Sequence, residues 1–144
     1  MSFTIRSCRA CVFGFWSFIT LLLLGSSAPA CAEWIPIGTS DEGATIIYMD
    51  TDTIHRRGDL VKMWDLMDYQ LAQKTDSGSA YLSSKTQTEY DCSEERSRVL
   101  TFSFHSGNMG SGHVVSSSVK EQTWSPVALG TVGQRLWKYA CTQR

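Results

Sequence analysis

Three histidines and a formal net charge of −1 are all that this 144-residue chain holds in those categories, and each shortage closes off a class of function. Over residues 33–144, eleven Lys and Arg stand against fourteen Asp and Glu, a balance of −3. That argues against a dedicated nucleic-acid binder, which carries a basic face. His55, His105 and His113 are too few for a structural zinc, which wants four ligands. No serine sits in a Gly-x-Ser-x-Gly context. No spacing pairs two of the acids Asp50, Asp52, Asp65, Asp68, Glu89 and Asp91 for acid–base work. The stretch "GNMGSG" lacks the lysine and following helix of a phosphate-cradling loop. The sequence therefore predicts no enzyme, no catalytic residue, no cofactor and no metal.

A lone membrane anchor is not expected either, since it needs about 20 consecutive apolar residues and the apolar run near the front is shorter. What the front of the chain does have is Arg6 and Arg9, then the apolar run "CVFGFWSFITLLLLG", then the small residues of "SSAPACAEW". Charge, greasy core and small-residue exit in that order predict a secretory signal peptide over residues 1–32. Ala30-Cys31-Ala32 is an A-x-A exit, placing the cut between Ala32 and Glu33. In a competing reading, "APAC" is a lipoprotein box and Cys31 a lipidated first residue. Pro29, the lack of Leu at Ala28 and the absence of a tether before Trp34 favour the first. The expected location is the periplasm or the cell surface.

Of five cysteines, Cys8, Cys11 and Cys31 leave with such a leader, and Cys92 and Cys141 remain. An even pair in an exported chain is most simply a disulfide. Residues 33–144 are enough for one domain.

"EWIPIG" is a short apolar piece that Pro36 confines to a sheet edge or strand start. "ATIIYMD" and "LVKMWDLMDY", separated by "TDTIHR" and Arg57-Gly58-Asp59, read as strands. A long polar strand spans 80–92. In "SRVLTFSFHS", Leu100, Phe102 and Phe104 alternate with Thr101, Ser103 and His105. "HVVSSSVKEQTW" returns as a strand after the glycine turn. From Thr131 the period changes to helical. Val132, Leu136, Tyr139 and Ala140 share a side, with Trp137 and Cys141 flanking them, Thr131 as N-cap, and Gly133 inside the apolar arc. The fold class is α+β: a single antiparallel meander of about six strands with one C-terminal helix packed on it. Cys92 points to the apolar side of its strand and Cys141 borders the helix's apolar arc, so a bridge would pin helix to sheet.

Arg57-Gly58-Asp59 is the tripeptide that integrins read, yet glycine between two extended runs is also what a tight hairpin wants. The hairpin tip is the preferred reading, with an exposed position that leaves contact with a partner open. Two strands have apolar residues on both faces: Ile46 and Tyr48 against Ile47 and Met49, and Leu60, Trp64 and Leu66 against Val61, Met63 and Met67. One helix covers one face. The second is curled inward, shared in a homodimer, or left for a partner.

Taken in order, "YMDTDTIHRRGDLVKMWDLMDY", "SSKTQTEYDCSEERSRVLTFSFHSGNMGSGHVV" and "WSPVALGTVGQRLWKYAC" resemble the bacterial surface-adhesin protein E domain. The landmarks are the Tyr-x-Asp strand, Val61 and Trp64, the Glu89–Cys92 corner, the G-x-M-G turn, Trp124 to Val127 and the closing W-x-x-x-C helix. The resemblance implies a six-strand sheet with a C-terminal helix, a Gram-negative envelope location and, for the family's name-giving members, adhesion to host epithelium and matrix proteins such as laminin and vitronectin. The expected function is an exported, non-catalytic module that binds an extracellular-matrix or envelope protein. The alternative is a soluble periplasmic envelope protein with no host ligand.

Overall fold

In the computed structural model, which describes residues 33–142, two long hairpins organise everything else. Strand β1 is Trp34–Ser40, β2 Thr45–Arg57, β3 Leu60–Lys74, β4 Ala80–Asp91 and β5 Arg96–His105. They are followed by β6 (Val114–Ser118), the two-residue β7 (Ser125–Pro126) and the helix α1 (Val132–Thr142). The strands pair antiparallel in the order β1-β2-β3-β4-β5-β6, and β7 also pairs with β5. The expected meander and closing helix are what the chain forms. The leader expected over residues 1–32, with Cys31 and the cut after Ala32, lies outside the described residues; Glu33 is described and exposed.

The core lies between α1 and one face of the sheet. Ile47, Met49, Val61, Met63 and Tyr90 pack there with Leu136 and Ala140, bordered by Ile35, Ile37, Val132, Trp137, Cys92 and Cys141. Register puts the strand residues on one face: Val61 is opposite Tyr90, and Met63 is opposite Thr88. The Thr131 hydroxyl accepts the Gln134 N–H at 3.2 Å, so this residue caps the helix as expected. Tyr139 and Gly133 depart from expectation. Both are exposed, because Leu136 and Ala140 already centre the helix on the sheet and turn these two toward solvent.

One expectation is corrected and one strand gains a detail. A bulge falls at Leu100, in the run it forms with Phe102 and Phe104. Thr88 pairs with Val99 and Gln87 with Thr101, which leaves Leu100 as a bulge residue, buried between them. The return strand read over 113–124 stops at Ser118; the chain leaves the ladder, touches β5 again through Gln122 N–H to the Val99 carbonyl, and re-pairs only as β7. The sheet stays open, and its second face is covered in part by the β5–β6 connection. There the Ser83 hydroxyl takes the Gly110 N–H at 2.8 Å and donates to the Gly107 carbonyl at 2.6 Å. Asp68 accepts the Met109 N–H at 2.6 Å. Leu66, on this second face, is fully buried.

Candidate functional site

The β2–β3 tip is built from the fewest residues a hairpin allows. Arg57 pairs with Leu60, so Gly58 and Asp59 are the whole loop. Gly58 has φ 62°, the positive angle that a II′ turn demands at its first central position and that glycine meets without strain. Arg57, Gly58 and Asp59 are all exposed.

This tip does not stand free. The Asp59 carbonyl accepts the Cys92 N–H at 2.9 Å, tying the turn to the end of β4. Cys92 is bonded to Cys141, with Cα atoms 5.6 Å apart, which joins that corner to the last turn of α1. The Trp137 indole N–H reaches the Asp91 carbonyl at 3.1 Å. Arg56 completes the node: its guanidinium donates to the carbonyls of Ala140 and Cys141 at 3.2 and 3.1 Å. A cation at a helix C-terminus satisfies orphan carbonyls and opposes the negative end of the dipole. Turn, corner and helix end therefore form one anchored unit, from which the Arg57 and Asp59 side chains project.

Asp91 shapes the corner itself. Its carboxylate accepts the Ser93 hydroxyl at 2.8 Å, the Ser93 and Glu94 N–H groups at 3.1 Å and the Arg96 guanidinium at 2.9 and 3.0 Å. These bonds, led by that of the Ser93 hydroxyl, hold its pKa below the usual carboxylate value against the opposing effect of burial. Beside the tip, on the sheet face away from the helix, charges alternate in sign across the strands. Lys62 lies 3.8 Å from Glu89, Glu89 accepts Arg98 Nε at 2.7 Å, and Arg98 also reaches Glu121 at 3.0 Å. Trp124 stacks against Arg96 and Arg98 at 4.9 and 4.6 Å. His55, Arg56, Arg57, Leu60, Lys62 and Glu89 line a recess of about 330 Å³ next to the tip.

The opposite end of the sheet is aromatic. Tyr81 stacks on Phe104 at 4.4 Å, nearly parallel, and meets Tyr69 edge-on at 5.7 Å; Phe102 lies 5.0 Å from Phe104. With the Lys74–Ser77 turn and Ser116, these rings border a groove of about 470 Å³.

The histidines do not converge. His105 bonds the Ser103 hydroxyl through Nε2 at 2.9 Å, and His113 bonds Ser106 through Nδ1 at 3.0 Å. Among the described residues no group of His, Cys, Asp or Glu could hold a metal ion. Burial, then the Lys85 charge, holds the His105 pKa below its usual value.

Sequence reasoning missed Arg56, Trp137 and Asp65. The first two act through the backbone of distant elements, which no local pattern announces. Asp65 had a signal: in β3 it shares a parity with Val61, Met63 and Met67, so it must point with them into the apolar layer. It is 2 % exposed, and desolvation raises its pKa to about 7.

The model of one protein family, surface-adhesin protein E, matches residues 34–142. No curated protein matches the chain. Crystal form II of Haemophilus influenzae protein E superposes with a TM-score of 0.59 at 11% identity, over 77% of this chain and 88% of that one. Protein E from non-typeable Haemophilus influenzae gives 0.56 at 11% identity, over 79% of this chain and 78% of that one. At that identity the likeness is one of fold. No helix among the described residues is long and apolar enough to cross a membrane.

Proposed function

Because this chain belongs to the surface-adhesin protein E family, we propose that it is an exported, non-catalytic binding module that attaches to a protein, either of the host matrix or of the envelope. Residues 1–32 act as its signal peptide, and Glu33 starts the mature chain. The observation that carries the reading is the anchored tip. Arg57, Gly58 and Asp59 are exposed, yet their backbone is held by the Cys92 N–H and, behind it, by the Cys92–Cys141 bond and the Arg56 cap. A partner meeting that surface would have little loop entropy to quench, which is what a preorganised binding element provides. The tip serves by its position and rigidity, and the integrin-like tripeptide is incidental to it.

Two measurements test this. Protease shaving of intact cells releases the protein if it is displayed at the surface; a pool found only in the periplasm refutes host attachment and leaves a soluble envelope protein. Asp59→Glu keeps the fold and spoils the tripeptide. Unchanged attachment of the variant dismisses integrin-type recognition while leaving the binding module standing.

A further inference from the structure

We propose that the outer edge of β6 is a peptide-binding site that takes a short, uncharged, extended segment of a partner protein as an added strand. The inference deepens the reading of the chain as a protein-binding module and rests on it for the partner's being a protein.

The two edges of the sheet differ. At β1 the edge is blunted in three ways. Pro36 lacks an N–H, the register slips between Pro36 and Gly38, and Arg135 of the helix donates to the Thr39 carbonyl at 3.1 Å. At β6 the outer side carries neither proline nor charge: the stretch "VVSSSV", 114–119, is neutral throughout. An antiparallel edge strand leaves alternate N–H and C=O groups facing outward, and the group that satisfies them best is another extended backbone. Because β6 is only five residues long and slips register beside His105, it suits a brief segment rather than a long strand.

The side chains say what that segment carries. Phe102 and Phe104 of β5 are each opposed on β6 by a serine, Ser118 and Ser116. A hydroxymethyl group is too small to cover a phenyl ring, and both rings are only partly buried. An added strand would point alternate side chains over these serines, where an apolar or aromatic group can lie against the Phe104–Tyr81 stack. A neutral edge suits a neutral strand, since residues 114–119 offer no opposite charge to a charged side chain laid beside them.

The test pans a random heptapeptide phage library on the exported protein, purified with its disulfide intact, and titrates synthetic copies of the selected peptides. Apolar residues at alternate positions are expected, with amide exchange at residues 115–119 slowed about tenfold or more on saturation. N-methylation of alternate peptide residues, which leaves the protein untouched, should raise Kd about tenfold or more, and so should Ser116→Phe, which puts a large side chain into the groove that Ser116 and Phe104 border. A library yielding no binder, binders that protect other amides, or binders indifferent to N-methylation overturn the proposal. So does a dimer whose 115–119 amides are already protected, since a second copy then holds the edge. Peptide binding that persists in a protein confined to the periplasm sinks host attachment alone; surface display without peptide binding sinks the edge site alone.

Discussion

A carboxyl group in the apolar layer should make this protein lose stability as the pH rises, and Asp65→Asn should abolish the loss. Asp65 pairs across the ladder with Met49 and Thr86, and no ion pair reaches it among the described residues. Its pKa rises from 3.8 to about 7 through desolvation alone. The folded state therefore holds this proton more tightly than the unfolded state. Stability from this group is complete below about pH 4, falls between about pH 4 and pH 7, and levels off above. A shift of about three pKa units at 1.36 kcal/mol each corresponds to about 4 kcal/mol. Asp91 and His105 both have lowered pKa values, so each adds stability as pH rises and opposes Asp65. The wild type alone would thus mix three signals. Subtracting the Asp65→Asn unfolding free energy from that of the wild type, by denaturant titration at pH 4, 5.5, 7 and 8.5, isolates one. The two proteins should differ little from one another in pH trend below pH 4, and the variant should gain about 4 kcal/mol on the wild type by pH 8.5. A difference that stays flat across the range would show that water or a rearranged neighbour solvates the carboxylate, and would refute the assignment of Asp65 to the dry side of the sheet.

Removing the bridge with Cys92→Ala and Cys141→Ala together should cost about 4 kcal/mol on the loop-entropy model for a separation of 49 residues, read from the denaturation midpoint and slope. Arg56→Met should cost about 1–2 kcal/mol, because the carbonyls of Ala140 and Cys141 lose their charged donor, whereas Arg57→Ala should change stability by no more than about 0.5 kcal/mol; equal losses would remove the helix-capping role. Gly58→Ala should cost about 1–2 kcal/mol because its positive φ penalises a Cβ, even though no atom lies within 4 Å of the place that Cβ would take.

Much of the fold was legible because it is written in period. Alternation located the strands, the change of period at Thr131 located the helix, and Arg57-Gly58-Asp59 located the tip, since each depends on neighbours in the chain. Where the reading fell short, the cause was contact across the chain. The Leu100 bulge arises from the register with β4, and alternation along β5 cannot reveal it. The end of β6 at Ser118 coincides with the Thr101 hydroxyl donating to the Ser118 carbonyl at 2.7 Å, a side chain of β5 occupying an acceptor on its neighbour. Arg56 reads in sequence as one more exposed cation before the tripeptide, yet it closes the helix 84 and 85 residues away.

The same distinction decides what the tip can do. Its sequence suggests a ligand by analogy, through three letters. Its structure suggests a function by mechanics, through the bonds behind those letters. If the tripeptide were the point, the turn could be mobile, since short recognition sequences commonly order on binding. Instead the chain fixes the Asp59 carbonyl to the residue that carries the bridge, and places Arg56, immediately before the tripeptide, on the helix end. The anchoring serves position, whichever side chains are displayed. Substituting displayed side chains should therefore alter what binds and leave the architecture intact, whereas substituting Arg56 or the cysteines should loosen the surface for any partner. Matching losses of affinity across unrelated ligands in the Arg56→Met variant, with Arg57→Ala affecting some ligands and sparing others, is the pattern this mechanics requires; ligand-selective losses in Arg56→Met would contradict it.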